Sequence, residues 1–173
     1  MIFELAILDF IYNMHNPVLD KIMTFITHLG DGGILWIVAG ILMCITKKYR
    51  RAGATTLLAL LLMLVIGNIT LKPIIARIRP YEYAPHVRLI IDTPHDFSFP
   101  SGHTFASFAS AVSVFMFHKK EGIAALCVAS LIAFSRLYLY VHFPTDILAG
   151  IILGIAVAFT SRAIINKMLS SFA

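Results

Sequence analysis

Residues 122–165, GIAALCVASLIAFSRLYLYVHFPTDILAGIILGIAVAFTSRAII, decide the fold. They contain two apolar runs, 122–141 and 147–165, and each comes close to the roughly 20 residues that carry a helix across about 30 Å of hydrocarbon. Between the runs stands a polar junction, His142-Phe-Pro-Thr-Asp146, in which Pro144 suits the first turn of a new helix. The stretch predicts a helical hairpin within a membrane, because only helices and closed barrels satisfy their backbone groups there.

The chain on either side repeats the pattern. Runs 32–46, 53–71 and 102–117 read as further membrane helices, the first and third short enough to need their flanks or local thinning. Residues 2–14 place Phe3, Ile7, Phe10 and Ile11, or Leu5, Leu8 and Tyr12, on broad apolar faces interrupted by Glu4 and Asp9. That pattern suits a helix lying in the interface. Residues 17–29 open with Pro17 and carry Asp20 and Lys21 early, so they either enter the bilayer or support their neighbours. The expectation is an all-α, polytopic membrane bundle of about six helices: an N-terminal interfacial helix plus about five embedded ones. No Gly/Ser/Pro-rich linker divides it, so residues 1–173 are expected to form a single domain.

Composition agrees. Of 173 residues 59% are hydrophobic and 13% charged, with a mean hydropathy of +0.86, which excludes a disordered chain and an ordinary cytosolic domain. Met1-Ile-Phe-Glu-Leu5 lacks the basic start of a cleavable signal, so every residue is expected in the mature chain. The net charge is +5, from 14 Lys and Arg against 9 Asp and Glu, but these cations punctuate apolar runs, so no nucleic-acid partner is expected. Lys47, Lys48, Arg50 and Arg51 mark a cytoplasmic loop, and counting crossings puts 118–122 and the tail with Arg162 and Lys167 on the same side. Segments 72–100 and 138–146 then fall on the outer side. Cys44 and Cys127 lie inside apolar runs and read as two buried thiols, with no disulfide or zinc pattern.

Three polar clusters converge on that outer side: Lys72, Arg77, Arg79 and Pro80; Pro100-Ser-Gly-His103; and Ser135, Arg136, His142 and Asp146. Ionisable groups at membrane depth are costly and mark function by default. Pro100 can open a helix whose first amides, at Ser101, Gly102 and His103, attract an anion, and Gly102 permits close backbone approach. Pro144 does the same for the last helix, with His142 before it and Asp146 in its first turn. Lys72, Arg79 and Arg136 add fixed cations, completing an oxyanion cage. Inside it a neutral imidazole at His142, oriented by Asp146, suits an in-line nucleophile, and His103 suits the acid that protonates a leaving oxygen. A zinc set of His103, His142 and Asp146 competes with this, yet three cations oppose it and few carboxylates, Asp146 with Asp92 and Asp96, offset them. No metal is expected.

Lys72-x6-Arg79-Pro80, Pro100-Ser101-Gly102-His103 and Ser135-Arg136-x5-His142-x3-Asp146 resemble, in order and spacing, the three signatures of the membrane type 2 phosphatidic acid phosphatase (PAP2) family. The similarity runs from about Asn16 to Gly154. It implies that the position of His142 forms a phosphohistidine, that of Asp146 orients it, and that of His103 protonates the leaving group. Lys72, Arg79, Ser101, Gly102 and Arg136 stand where the family binds phosphate, without metal or other cofactor. The resemblance further implies a membrane lipid substrate, a site facing the outside or periplasm, and a bacterial cytoplasmic (inner) membrane location. Undecaprenyl diphosphate is the first choice; phosphatidylglycerophosphate, phosphatidate and lipid A phosphates stay open. Many members carry Gly where this chain has Tyr140, which is expected to narrow the pocket mouth or stack on substrate. Vanadium haloperoxidases share the cage but are soluble and much larger. A transporter or scaffold that only binds headgroups is the non-enzymatic rival, and it predicts that His142→Ala keeps its function.

Other polar residues read more plainly. His15, His28, His86, His95 and His118 are taken as satisfied or exposed side chains, Arg77 and Arg88 as headgroup contacts, and Asn68 as an interhelical hydrogen bond. Tyr81, Tyr83, Phe97 and Phe99 suit an interfacial belt, and Gly150 with Gly154 a helix-packing pair.

Overall fold

A computed structural model describes residues 1–171, and among them there is no strand. Its helices are α1 (Ile2–Tyr12), α2 (Pro17–His28), α3 (Ile34–Ile45), α4 (Arg50–Met63), α5 (Lys72–Ile75), α6 (Gly102–Phe115), α7 (Lys119–Tyr138) and α8 (Pro144–Ser170). α5 is one turn that ends the run begun by α4, so seven helices of ordinary length stand where about six were expected. The run starting at Arg50, α7 and α8 are each long and apolar enough to cross a membrane. α2 and α3 meet that test only as a pair bent by 40°, the pattern of a broken span or a re-entrant loop.

Local signals explain these boundaries. Asn16 caps α2 by accepting hydrogen bonds from the amides of Val18 and Leu19, with Pro17 in the first turn. Ser101 caps α6, and Phe143 precedes Pro144 at the start of α8. The run predicted as one helix over 53–71 changes character: Leu64–Leu71 forms a π-helix between α4 and α5. Such wide turns recur at functional sites. Here the turn puts Asn68 and Lys72 on the same cavity wall.

α6 is the centre of the bundle, packed between α4, α7 and α8, and every residue from Thr104 to Val114 is buried except Phe108. At 14 residues it spans only about 21 Å, yet protein rather than lipid surrounds it, which accommodates its serines. Small residues let its neighbours come close. A Cβ added at Gly150 would lie 3.1 Å from the Ser101 carbonyl oxygen, and one at Gly154 would lie 2.9 Å from the Ala109 amide, so the predicted packing pair is real. Trp36 of α3 ties in by donating to Ser107 Oγ at 3.0 Å. Of α1, the stripe at Leu8 and Ile11 is buried while Ile2, Phe3 and Phe10 are exposed. Cys127 corrects the reading of two buried thiols: it is exposed on α7, and Cys44 is half-buried.

Candidate active site

One cavity of about 770 Å³ is lined by Lys72, Arg79, Gly102, His103, Arg136 and His142. Six of the eight residues named from sequence thus share a wall although they come from three separate stretches of chain. Lys72 closes the π-helical run, and Ala76 then takes a left-handed conformation (φ 47°) that turns the chain out of the helix. Arg79 is held by its whole fork: Nε donates to the Asp96 carbonyl at 2.8 Å, Nη2 to Asp96 Oδ1 at 2.5 Å, and Nη1 to the Val141 carbonyl at 2.6 Å. Arg136, in the last turn of α7, donates through Nη1 to Thr27 Oγ1 at 2.5 Å. These three cations are 4–7% exposed.

Buried charges are costly unless paired. Asp96 pairs with both Lys72 and Arg79. Burial alone would raise its carboxyl, but the two cations outweigh that and hold it at about 2. No described carboxylate pairs with Arg136, whose buried Nε lacks a partner. Arg136 is therefore a buried cation on the wall with donor capacity left for a phosphate.

His142 occupies the corner between α7 and α8 and is 1% exposed. Tyr140, at φ 58°, reverses the chain there. His142 Nδ1 lies 3.5 Å from Asp146 Oδ2 and 3.4 Å from Ser98 Oγ, and Ser98 donates to the same carboxylate oxygen at 2.5 Å. Nε2 lies 3.3 Å from Nη1 of Arg79. Because a guanidinium only donates, Nε2 is the acceptor and Nδ1 carries the proton. Burial, then Arg79, Arg136 and Lys72, push the ring well below the ordinary histidine range, so it is neutral. Asp146 is itself fixed, accepting from the Phe143 amide at 2.8 Å and from Arg77 Nη1 at 2.6 Å. Arg77 reaches on to Glu4 of α1 at 2.9 Å.

His103 stands in the first turn of α6, with Nε2 2.9 Å from Asp31 Oδ1. Two predicted residues lie behind the wall rather than on it. Asp146 supports His142, and Ser101 is the helix cap, its Oγ accepting from Thr104 Oγ1 at 3.0 Å. Pro100 precedes α6 instead of opening its first turn.

Three further readings are corrected. Arg77 meets Asp146 and Glu4, not lipid headgroups. Tyr140 is buried and donates to Asp9 at 2.7 Å, so it faces α1 rather than the pocket; its positive φ is the physical reason glycine suits that position. Asn68 is an exposed cavity-lining residue and makes no interhelical hydrogen bond among the described residues. Sequence reasoning gave no role to Ser98, Thr27 and Asp31 and left Asp96 unplaced. Only Ser98, two residues before Pro100, stood close enough to a motif to be found. Among the described residues no three His, Cys, Asp or Glu side chains converge as a metal-binding set.

A bundle of apolar helices here gathers three buried cations and two imidazoles around one cavity, a site whose chemistry suits a phosphoryl group. The chain belongs to the PAP2 superfamily, whose family model matches residues 53–169. It is 31% identical to an undecaprenyl-diphosphatase of Sulfolobus acidocaldarius over 83% of this chain and 69% of that one. It is 35% identical to phosphatidylglycerophosphatase B of Bacillus subtilis, over 90% and 79% respectively. Among solved structures it resembles a transmembrane PAP2-type phosphatidylglycerolphosphate phosphatase from Bacillus subtilis, with a TM-score of 0.78 and 29% identity over 95% of this chain and 85% of that one. The protein is a phosphatase that hydrolyses phosphate esters or diphosphates.

Proposed function

We propose that the protein removes phosphate from a lipid phosphate or diphosphate, without metal, through a phosphohistidine on His142. One observation carries this: the cavity that holds the cations and imidazoles continues along Ile37 of α3, Leu57, Leu60 and Leu61 of α4, and Leu64 at the start of the π-helix. The four leucines fall at helical spacing and precede Lys72 by 8–15 residues. A soluble ester gains nothing from such a wall, whereas a lipid tail buries against it.

In this reading Lys72, Arg79, Arg136 and the Gly102 amide grip the phosphoryl group, with Ser101 setting the helix start that aims those amides. Nε2 of His142 bonds to phosphorus while the bond to the leaving oxygen breaks, and His103 gives that oxygen its proton. His103 then takes a proton from water as the water oxygen attacks the phosphohistidine, and phosphate departs. Asp146 keeps the proton on Nδ1 throughout. Undecaprenyl diphosphate is the favoured substrate, in keeping with the name of the archaeal relative. Phosphatidylglycerophosphate is the second reading, since the Bacillus relative is 35% identical over 90% of this chain; phosphatidate and lipid A phosphates are further members of the same test. The cationic loop at Lys47–Arg51 favours a site on the extracytoplasmic face of a bacterial cytoplasmic membrane.

Phosphate release in detergent from a panel of lipid mono- and diphosphates, with chelator present, tests the proposal. Turnover should survive the chelator, fall by at least about a thousandfold in His142→Ala, and fall by about a hundredfold or more in His103→Ala. Loss of turnover with chelator, or full turnover by His142→Ala, contradicts it.

A further inference from the structure

The second imidazole has a support that no motif marks. Between α2 and α3 the chain turns through Gly30-Asp31-Gly32-Gly33, with Gly32 and Gly33 at φ 57° and 68°. The turn delivers Asp31 to the cavity wall, where Oδ1 meets Nε2 of His103 at 2.9 Å. Asp31 Oδ2 lies 2.7 Å from Nδ1 of His28, so both carboxylate oxygens are engaged and the group is oriented from two sides. Gly30 makes room for the ring. A Cβ there would lie 2.5 Å from Cδ2 of His103, displacing the imidazole from its partner. Space, carboxylate and a second histidine behind it all come from one short turn and the end of α2.

The charges around His103 give that carboxylate a task. Arg136 of α7 and Lys72 face the ring, and His142 with Arg79 stands across the cavity. Of the other carboxylates, Asp96 is committed to Lys72 and Arg79 and Asp146 to Arg77 and Ser98, while Asp92 lines the cavity without a hydrogen bond or ion pair to His103. Burial and then these cations oppose an imidazolium, yet the step assigned to His103 starts from one. A carboxylate in direct contact favours the protonated ring.

We propose that Asp31 is a positioning residue for the general acid. It holds the Nε2–H of His103 and leaves Nδ1, which has no hydrogen-bond partner among the described residues, to carry the transferred proton. That proton moves from Nδ1 to the leaving oxygen as the P–O bond breaks and the bond from His142 Nε2 to phosphorus forms. His28 steadies Asp31 from the rim. Asp31 acts only through His103, so its role rests on the reading of His103 as the acid.

The pH profiles of kcat and KM for the full-length protein, Asp31→Asn, Asp31→Glu and His28→Ala, with His103→Ala alongside, test this. The basic limb reports loss of the proton from His103, and removing an adjacent anion moves that limb to lower pH. Asp31→Asn should shift it down by roughly one unit, cut kcat about tenfold and leave KM nearly unchanged. Asp31→Glu should restore much of both, and His28→Ala should give a smaller shift of the same sign. An Asp31→Asn profile whose limbs superpose on those of the natural protein overturns the proposal, whether or not kcat falls, because a loss of folded enzyme scales the profile without moving it. If His103→Ala turns over normally, the acid role itself fails; if it is inactive while Asp31→Asn is unshifted, only the role of Asp31 fails.

Discussion

The two imidazoles of the cavity are supported in opposite ways. His142 is sealed: it is 1% exposed, Asp146 and Ser98 behind it are fully buried, and the carboxylate is pinned by Arg77, the Phe143 amide and Ser98. His103 is supported at the rim, where the Asp31 and His28 side chains are 52% and 60% exposed. The difference matches the two tasks proposed. A nucleophile must keep one tautomer and stay neutral, which a dry and fully bonded setting enforces. An acid must exchange protons, and water near its partner permits that.

Asp146→Asn should cut phosphate release by about a hundredfold to ten-thousandfold, because an amide can no longer hold the proton on Nδ1 of His142; steady-state rates read this directly. A loss as small as that expected for Asp31→Asn would erase the asymmetry. Next, Arg77→Gln should cost about tenfold to a hundredfold in kcat with KM little changed, since it frees Asp146 without touching the cavity wall. Glu4→Gln should do the same more weakly, in line with its place one step further back.

Asp96→Asn should change inhibition by inorganic phosphate more than turnover, tightening it roughly threefold by removing an anion from Lys72 and Arg79. The sign of its pH dependence follows from a carboxyl held at about 2. That group is held below its ordinary value, so its pairing is present above about pH 4 and is lost as pH falls toward 2. The gain should therefore stay flat between pH 5 and 8, and inhibition constants across that range check it. Gly154→Ala should leave both pH limbs in place and lower the melting temperature instead. Its Cβ meets the α6 backbone, which costs about 1–3 kcal/mol.

Legibility divided along the same physical line. Span length and glycine spacing are local properties, so the helices, the α6–α8 packing and the six wall residues were readable from the chain. Asp31, Thr27 and Glu4 were not, because each reaches the site by a contact spanning about 70 residues or more, and nothing beside them in sequence carries that information. Arg77 shows the limit within a motif: its position was marked, but its direction is decided by the left-handed turn at Ala76 and by α1 packed behind it. The π-helical stretch was equally hidden, since an extra residue per turn leaves an apolar run looking like an ordinary helix.

The most direct test of the central idea is to quench the purified enzyme in base during turnover of a radiolabelled lipid phosphate and map the label by peptide. Phosphate bound to the peptide containing His142, stable in base, labile in acid and absent from His142→Ala, is the expected result. Turnover at full rate with no label on that peptide, or label that persists in His142→Ala, would contradict the account.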